Sequence, residues 1–202
     1  MDDCYRTVSD VSEGTFTEQR SKFLAFAIPV DTPAKALEAV DCLRKRYHDA
    51  RHVCWAYVIG AGSTAFRAND DGEPSSTAGM PILGVINSAS LTDIIIIVVR
   101  YFGGVKLGTG GLISAYRNAA KAALEKAEII IKTVEENLDV SCKFEFLNSV
   151  MKIIKEENLA VPEKSISDVC LIRVRIRKSK VQMLTDRLRN IESVLVIPAA
   201  DK

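Results

Sequence analysis

A glycine-rich loop between an apolar run and a helical pattern holds the residue types best suited to bind an anion. It covers residues 100–111. Glycine lets the backbone approach a ligand closely, and the N-terminus of a helix presents free N–H groups and the positive end of its dipole. A small-molecule phosphate is therefore a possible ligand, with Lys106 and the Thr109 hydroxyl contributing to its site. The predicted binding residues are Arg100, Tyr101, Phe102, Gly103, Gly104, Lys106, Gly108, Thr109, Gly110 and Gly111.

The same glycines also suit tight packing of a strand against the helix that follows it. The loop matches neither G-x-x-x-x-G-K-[ST] nor G-x-G-x-x-G, so it contains no named nucleotide-binding motif. Phosphate binding and structural packing both remain open as interpretations of this loop.

An acidic turn in residues 69–79 concentrates the carboxylates Asp70, Asp71 and Glu73 with several hydroxyl groups. Paired carboxylates can bind a divalent cation or divide acid and base roles. The spacing does not fit a calcium-binding EF-hand loop. The alternative is that these side chains accept hydrogen bonds from backbone N–H groups and cap the next helix. With His52 as a neighbour, the three carboxylates form the second group of predicted binding residues.

The two histidines of the chain resemble a zinc-peptidase motif only superficially. His48 and His52 have the spacing of H-E-x-x-H, but Asp49 replaces the longer glutamate. His52 is expected in a strand, so the two imidazoles would not share a helical face, and no third histidine is present. We predict no metal site. His52 and Cys54 share one strand face, which permits either a nucleophile pair or simple packing.

Three arginines near the C-terminus alternate with apolar residues and so lie on one face of a predicted strand. Arg173, Arg175 and Arg177 are nucleic-acid-binding candidates, because their spacing of about 6 to 7 Å suits successive phosphates. The alternative is a solvated face whose charge is balanced by Asp139 and Glu135 across the sheet. No Phe or Tyr is interleaved, so RNA binding here would use backbone and shape contacts.

Composition and charge exclude several classes of protein. The chain is 48% hydrophobic and 26% charged, which is typical of a globular protein, and its net charge of +1 gives little long-range attraction for phosphate. The N-terminal residues lack the features of a secretory signal, so we expect a cytoplasmic location. The longest apolar run, 94–99, is far shorter than the roughly 18 residues of a membrane span, so no membrane association is predicted. The cysteines contain no C-x-x-C pair, so neither a disulfide framework nor a zinc ribbon is predicted. No cofactor is predicted.

The first part of the chain reads as strands with covering helices. Thr32 is the predicted N-cap of a helix with Pro33 at its first position. The run 94–99 has no polar alternation, so it should be a strand that is buried on both faces. The other predicted elements are strands at 23–30, 53–59 and 64–67, a short helix through Leu83, and a helix that follows the glycine loop from Leu112.

From about Ile129 the pattern changes to β-α-β-β-α-β, the ferredoxin-like order. Leu138, Val140 and Cys142 indicate a strand, and Leu147 begins a helical stripe. Ser179 is the predicted cap of the second helix. The fold class is therefore α/β (α+β), with two domains at 1–130 and 131–202.

Four motifs together resemble the YigZ/IMPACT family, over residues 15–127. Similarity to this family implies a first domain like the fourth domain of elongation factor G and a second domain like its fifth. Both parallels imply RNA, a ribosome or a ribosome-associated protein as the partner, and the eukaryotic relatives act in translational control. The motifs are Arg20-Ser21-Lys22-Phe23, His52-Val53-Cys54-Trp55-Ala56-Tyr57, Asp70-Asp71-Gly72-Glu73-Pro74, and Arg100-Tyr101-Phe102-Gly103-Gly104 with Leu107-Gly108.

The chain departs from the family pattern at two positions. Ser76 replaces a usual glycine of the hydroxyl-rich turn, and Ser114 replaces a usual arginine after the glycine loop. The loss of that arginine removes a positive charge from the region where an anion would bind.

Two hypotheses of function follow. The first is a non-catalytic regulator of translation that binds RNA or the ribosome through the glycine loop and the arginine strand. The alternative is a small enzyme that binds a phosphoester or nucleotide with the acidic turn and the glycine loop. A purely structural scaffold is a further alternative. The most useful observation is whether the acidic turn lies against the glycine loop, because separated segments would be two capping devices.

Overall fold

The computed structural model describes residues 3–199. Their contacts form two compact units, one of Cys4–Lys132 and the other of Asp3 with residues 133–199. No helix within these residues is long and apolar enough to cross a membrane.

The first unit is a mixed α/β structure. Its strands and helices are β1 (Cys4–Val8), β2 (Ser12–Glu18), β3 (Ser21–Pro29), α1 (Pro33–Arg46), β4 (His52–Ile59), β5 (Ala65–Asn69), α2 (Gly79–Ser88), β6 (Ile94–Tyr101), α3 (Gly108–Leu124) and β7 (Ile129–Thr133). Five strands form an antiparallel sheet in the order β2-β3-β6-β4-β5, and β1 pairs with β7. The boundary predicted between residues 130 and 131 falls inside β7.

The central strand β6 is buried on both faces, as its unbroken apolar run predicts. Ile94, Ile96 and Val98 pack into the core beneath α2 and α3. The alternate residues Ile95, Ile97 and Val99 pack into a second core on the face that α1 covers. β6 therefore holds the middle of a three-layer arrangement and fixes the position of the loop that follows it.

Local signals locate α1 correctly and α3 less well. The Thr32 side chain accepts a hydrogen bond from Lys35 N at 3.3 Å, and Pro33 occupies the first turn. By contrast, α3 begins at Gly108, inside the predicted loop, and β6 continues to Tyr101. The connection is only residues 102–107, because α3 begins at Gly108 and already includes Gly110 and Gly111.

The second unit is ferredoxin-like, as predicted. Its elements are β8 (Glu135–Lys143), α4 (Leu147–Glu156), β9 (Ala160–Ser165), β10 (Val169–Arg177), α5 (Val181–Arg189) and β11 (Leu195–Pro198). The antiparallel sheet has the order β11-β8-β10-β9. One sheet face forms the core with both helices, where Val140 and Ile172 meet Val150 and Leu184. The predicted Ser179 cap is wrong, because no side chain caps α5 and the residue lies in a short 3₁₀ turn.

Candidate functional site

Sheet register brings the glycine loop and the acidic turn to the same end of the first unit. β4 and β6 are antiparallel neighbours, so His52 at the start of β4 pairs with Arg100 near the end of β6. β5 is antiparallel to β4, and its last residue, Asn69, pairs with Trp55. The turn that follows β5 therefore lies beside the loop that follows β6. Segments about thirty residues apart in the sequence meet through these two strand pairings.

The contact between the two segments is a buried ion pair. Arg100 donates from one guanidinium nitrogen to Glu73 Oε1 at 2.6 Å, and the two side chains are only 7% and 4% exposed. The Tyr116 hydroxyl donates to the same carboxylate oxygen at 2.7 Å. Phe23 and Phe102 lie against the guanidinium, with ring centroids 5.5 and 5.6 Å away. A charged pair of such low exposure at the edge of a cleft is costly to desolvate, so each partner depends strongly on the other.

Arg100 keeps unused hydrogen-bonding capacity after this pairing. Its Nε is buried and has no partner among residues 3–199. A guanidinium has five N–H donors, and only one of its nitrogens is engaged by Glu73. An anion in the adjoining cleft is a chemically suitable acceptor for its remaining donors.

Asp70 and Asp71 serve the backbone instead of an open site. The Asp70 carboxylate accepts from the backbone N–H groups of Ser76, Ala78 and Gly79 at 2.9, 3.0 and 2.8 Å. Asp71 accepts from Val53 N at 2.6 Å. These contacts correspond to the capping interpretation of the turn.

The second oxygen of Asp71 pairs with Arg44 at 2.9 Å. Both aspartates are thus occupied by neighbouring donors, and this weakens the interpretation of the turn as a cation or acid-base site. Among residues 3–199, no group of three or more His, Cys, Asp and Glu side chains has an arrangement that could hold a metal ion.

His52 is fixed in one tautomer by the same turn. Its Nδ1 lies 2.8 Å from the carbonyl oxygen of Asp71. A carbonyl oxygen only accepts hydrogen bonds, so Nδ1 carries the proton. In the neutral imidazole the opposite ring nitrogen is then an acceptor, and His52 lines the cleft described below.

Cys54 does not form a nucleophile pair with His52. It is fully buried, and its Sγ lies 3.0 Å from the Asp70 carbonyl oxygen and 3.3 Å from the Tyr116 hydroxyl. Burial raises the pKa of the Cys54 thiol well above its ordinary value and does the same for the pKa of Tyr116. A buried thiol that stays protonated is a packing residue.

A cleft of about 410 Å³ opens between the glycine loop and the acidic turn, and we call it the loop–turn cleft. Its polar lining combines the exposed cations Arg51 and Lys106 with the Thr109 hydroxyl. Phe102 and Leu107 supply apolar surface, and the Glu73–Arg100 pair forms part of the wall. α3 begins at this cleft without a side-chain cap and without an acidic residue in its first turn. Free N–H groups at a helix start favour an anion.

The glycines of the loop divide into two kinds. A Cβ on Gly103 would lie 2.1 Å from the backbone of Arg20, and Gly104 and Gly108 have φ values of +87° and +70°. These three are required by packing and backbone conformation. Gly110 has neither requirement, because a Cβ there would meet nothing within 4 Å. Gly103, Gly104 and Gly108 therefore follow the packing interpretation of the loop, whereas the fold places no such requirement on Gly110.

The structure does not bring every predicted residue into the cleft. Tyr101 points to the opposite core, and its hydroxyl donates to Asp49 at 2.8 Å, a contact that raises its pKa. Sequence reasoning missed Arg51 and Tyr116. Tyr116 has the spacing of a helix core residue, and nothing local indicates that its hydroxyl reaches Glu73.

The arginine strand in the second unit is largely neutralised. Arg173 forms a two-pronged pair with Asp139 at 2.7 and 3.0 Å and also contacts Glu163. Arg177 forms a similar pair with Asp3 at 2.8 and 2.6 Å. Arg175 is exposed. Balancing by Asp139 follows the alternative interpretation. Glu135 lies directly opposite Arg177 in the strand register, and Asp3 adds a carboxylate that the sequence analysis did not include.

Comparisons with known proteins agree with this architecture. Residues 19–124 match the family described as the Impact N-terminal domain. The chain is 34% identical over 164 residues to "IMPACT family member YvyE" of Bacillus subtilis (strain 168), covering 81% of this chain and 76% of that protein. It is 31% identical over 172 residues to "IMPACT family member YigZ" of Escherichia coli (strain K12), covering 84% of each. A crystal structure described as a hypothetical protein aligns over 100% of both chains with a TM-score of 0.78 and 26% identity.

Proposed function

This chain belongs to the IMPACT family, and from that premise we propose that it is a non-catalytic, translation-associated factor of the cytoplasm. In this proposal it binds phosphate groups of RNA or of the ribosome in the loop–turn cleft. The observation that carries the proposal is the meeting of an uncapped helix N-terminus with Arg51, Arg100 and Lys106 around one cleft. The family resemblance supplies the translational context, and the cleft supplies the chemistry.

The electrostatics of the cleft support a phosphate ligand. Glu73 is the only acidic side chain that lines the cleft within residues 3–199, and its charge is already matched by Arg100. Arg51 and Lys106 are exposed and remain available, and Thr109 adds a hydroxyl. Backbone N–H groups and flexible cations are the donors that typically contact phosphate oxygens.

Binding without catalysis is supported by the state of the potentially reactive side chains. Asp70 and Asp71 hold backbone N–H groups, and Cys54 is buried with a raised pKa. Glu73 is shared by Arg100 and Tyr116. These engagements favour a rigid recognition surface over general acid-base chemistry.

The arginine strand has a smaller role in this proposal than the sequence alone suggests. Arg173 and Arg177 already face carboxylates at hydrogen-bond distance, so binding RNA through them would break existing pairs. Arg175 alone is assigned a supporting contact, and the cleft carries the main one.

A salt series on RNA binding tests the proposal with a single lysine. Lys106→Ala should weaken binding of a structured ribosomal RNA fragment and reduce the slope of log K against log salt by roughly 0.7 to 0.9, the value for one lost phosphate contact. Lys45→Ala is the matched control, because Lys45 is exposed on α1, on the opposite side of the sheet. Binding would be measured by fluorescence anisotropy, and ribosome association by co-sedimentation.

The outcomes separate the two hypotheses of function. Absence of binding to both RNA and ribosomes at low salt contradicts the proposal, as does an equal effect of the two lysine variants. The size of the cleft, about 410 Å³, also suits a small phosphate-bearing molecule. If nucleotides with magnesium raise the melting temperature and RNA does not bind, the small phosphoester- or nucleotide-binding enzyme is the better description.

A further inference from the structure

A second and larger concavity lies between α2 and α3, and we call it the α2–α3 groove. Its volume is about 800 Å³. The apolar side chains Met80, Val85, Ile113 and Leu124 line it, and Met80 is 53% exposed. All of its lining residues belong to the first unit. The groove is a separate surface from the loop–turn cleft and does not depend on the function proposed for that cleft.

Gly84 lines this groove, although the fold itself does not require a glycine at this position. It lies in the middle of α2 with a φ that is not positive. A Cβ at this position would meet nothing within 4 Å. Alanine is a better helix former than glycine, so glycine here weakens the helix without relieving any clash. What glycine does provide is an open groove, because a side chain would project into it.

The charges around the groove are asymmetric. Arg117 and Lys121 are exposed one turn apart on α3, and neither forms an ion pair within residues 3–199. α2 has no charged residue, and Glu125 is the only acidic lining residue in the described chain. An apolar floor beside a mainly cationic rim complements an apolar stripe flanked by acidic residues.

From this combination we propose that the α2–α3 groove binds an acidic amphipathic helix of a partner protein. A groove between two helices offers no strand edge, so an added strand has nothing to pair with, whereas a helix can insert residues at i, i+3, i+4 and i+7. RNA fits less well, because Met80, Val85 and Ile113 offer no donors to phosphate. The bare backbone at Gly84 allows the incoming helix to approach closely.

A designed peptide pair tests this assignment on the full-length protein. The probe is a fluorescein-labelled amphipathic peptide of about 14 residues, roughly four helical turns, with leucines on one face and glutamates elsewhere. The comparison peptide has lysines in place of the glutamates. The glutamate peptide should bind with a micromolar Kd by anisotropy, and the lysine peptide should bind at least tenfold more weakly.

Two variants locate the binding site. Gly84→Met should reduce binding of the glutamate peptide at least tenfold while the melting temperature does not fall, because the new side chain occupies the groove and favours the helix. The double change Arg117→Glu and Lys121→Glu should reverse the preference toward the lysine peptide. Lys45→Glu on α1 is the control, and it should leave both affinities unchanged.

Several results would overturn the proposal. Equal binding of both peptides, or binding that survives Gly84→Met, rules out the groove as a site for an acidic helix. Self-association in sedimentation that is lost in Gly84→Met assigns the groove to a second copy of the chain. RNA binding that is lost in Gly84→Met but retained in Lys106→Ala assigns it to RNA.

Discussion

The ion pair between Glu73 and Arg100 shows how one buried contact can join a turn to the end of a strand. Both side chains are nearly inaccessible, and the Tyr116 hydroxyl adds a third group. Attraction between the two charges offsets their loss of hydration only while both are present. We therefore regard the pair as the structural basis of the loop–turn cleft.

Removal of one partner should cost far more stability than removal of both. Glu73→Ala leaves the buried Arg100 guanidinium without a counter-charge, so the free energy of unfolding should fall by about 3 to 5 kcal/mol. The double variant Glu73→Met with Arg100→Met should recover a large part of this loss. Urea unfolding can be followed by the fluorescence of Trp55, the only tryptophan in the chain.

The exposed Glu125→Ala is the control for this pair, with an expected change within about 0.5 kcal/mol. A loss of less than about 1 kcal/mol for Glu73→Ala, or a double variant that is as unstable as the single one, would contradict the buried-pair interpretation.

The secondary-structure elements were predictable where their signals are local. Thr32 and Pro33 define the start of α1 in adjacent residues, and the isoleucine run of β6 indicates burial on both faces. The beginning of α3 was misplaced because glycines disfavour a helix by propensity, yet Gly108 opens one here. β1 and β7 are short, and they pair although most of the sequence of the first unit lies between them. Neither strand therefore has a strong sequence pattern of its own.

The candidate site was predictable only in part, because some of its contacts depend on the pairing of strands that are distant in the sequence. The composition of the acidic turn is compatible both with helix capping and with a cation or acid-base site. Which of the two applies depends on the hydrogen-bond donors that surround the carboxylates. Asp70 meets N–H groups within nine residues, a local relation that capping rules describe. The partner of Glu73 is Arg100, which is determined by the pairing of β4 with β6 and β5. Long-range register cannot be derived from turn composition.

Asp70 organises the start of α2, and its removal should destabilise that helix. Asp70→Ala deprives the backbone N–H groups of Ser76, Ala78 and Gly79 of a charged acceptor, so we expect a loss of about 1 to 3 kcal/mol. Asp70→Asn retains one carbonyl acceptor and should lose less. Urea unfolding gives the free energy, and hydrogen exchange at the first turn of α2 shows whether the loss is local.

Ser75→Ala is the matched control, because Ser75 is exposed in the same turn. If Asp70→Ala and Ser75→Ala have the same stability and the same exchange rates in α2, Asp70 does not act as the cap.

The division of the chain into two units does not follow the order of residues along the sequence. Asp3 precedes β1 of the first unit, yet it belongs by its contacts to the second. Its carbonyl oxygen accepts from Val134 N at 2.7 Å, and its carboxylate accepts from Ser179 N at 3.1 Å and from Arg177. A residue from the start of the sequence thus supports the end of β10 and the turn before α5.

Asp3 should make the stability of the second unit dependent on pH in the acid range. Hydrogen bonds from Arg177 and Ser179 lower the pKa of the Asp3 carboxyl well below its ordinary value of 3.8. A carboxyl whose pKa is lowered by folding stabilises the folded state fully above its unfolded pKa, and the contribution is lost as pH falls through the folded value. Asp3→Asn should therefore lower the urea midpoint at pH 7, and the difference from the unchanged protein should shrink as pH falls below about 4.

Two optical signals assign this effect to one unit. Far-UV circular dichroism reports on both units, whereas Trp55 fluorescence reports on the first. Asp3→Asn should shift the part of the dichroism transition that the fluorescence transition does not follow. Asp168→Asn changes an exposed residue of the second unit and should shift neither the dichroism nor the fluorescence transition. If the Asp3→Asn difference is the same at pH 7 and pH 3, or if the fluorescence transition moves as much as the dichroism, the pair with Arg177 is not what stabilises the second unit. A difference in urea midpoint that does not change with pH would mean that Asp3→Asn acts through neutral hydrogen bonds. Only a charge that is lost on acidification makes the midpoints of the two proteins approach each other as pH falls.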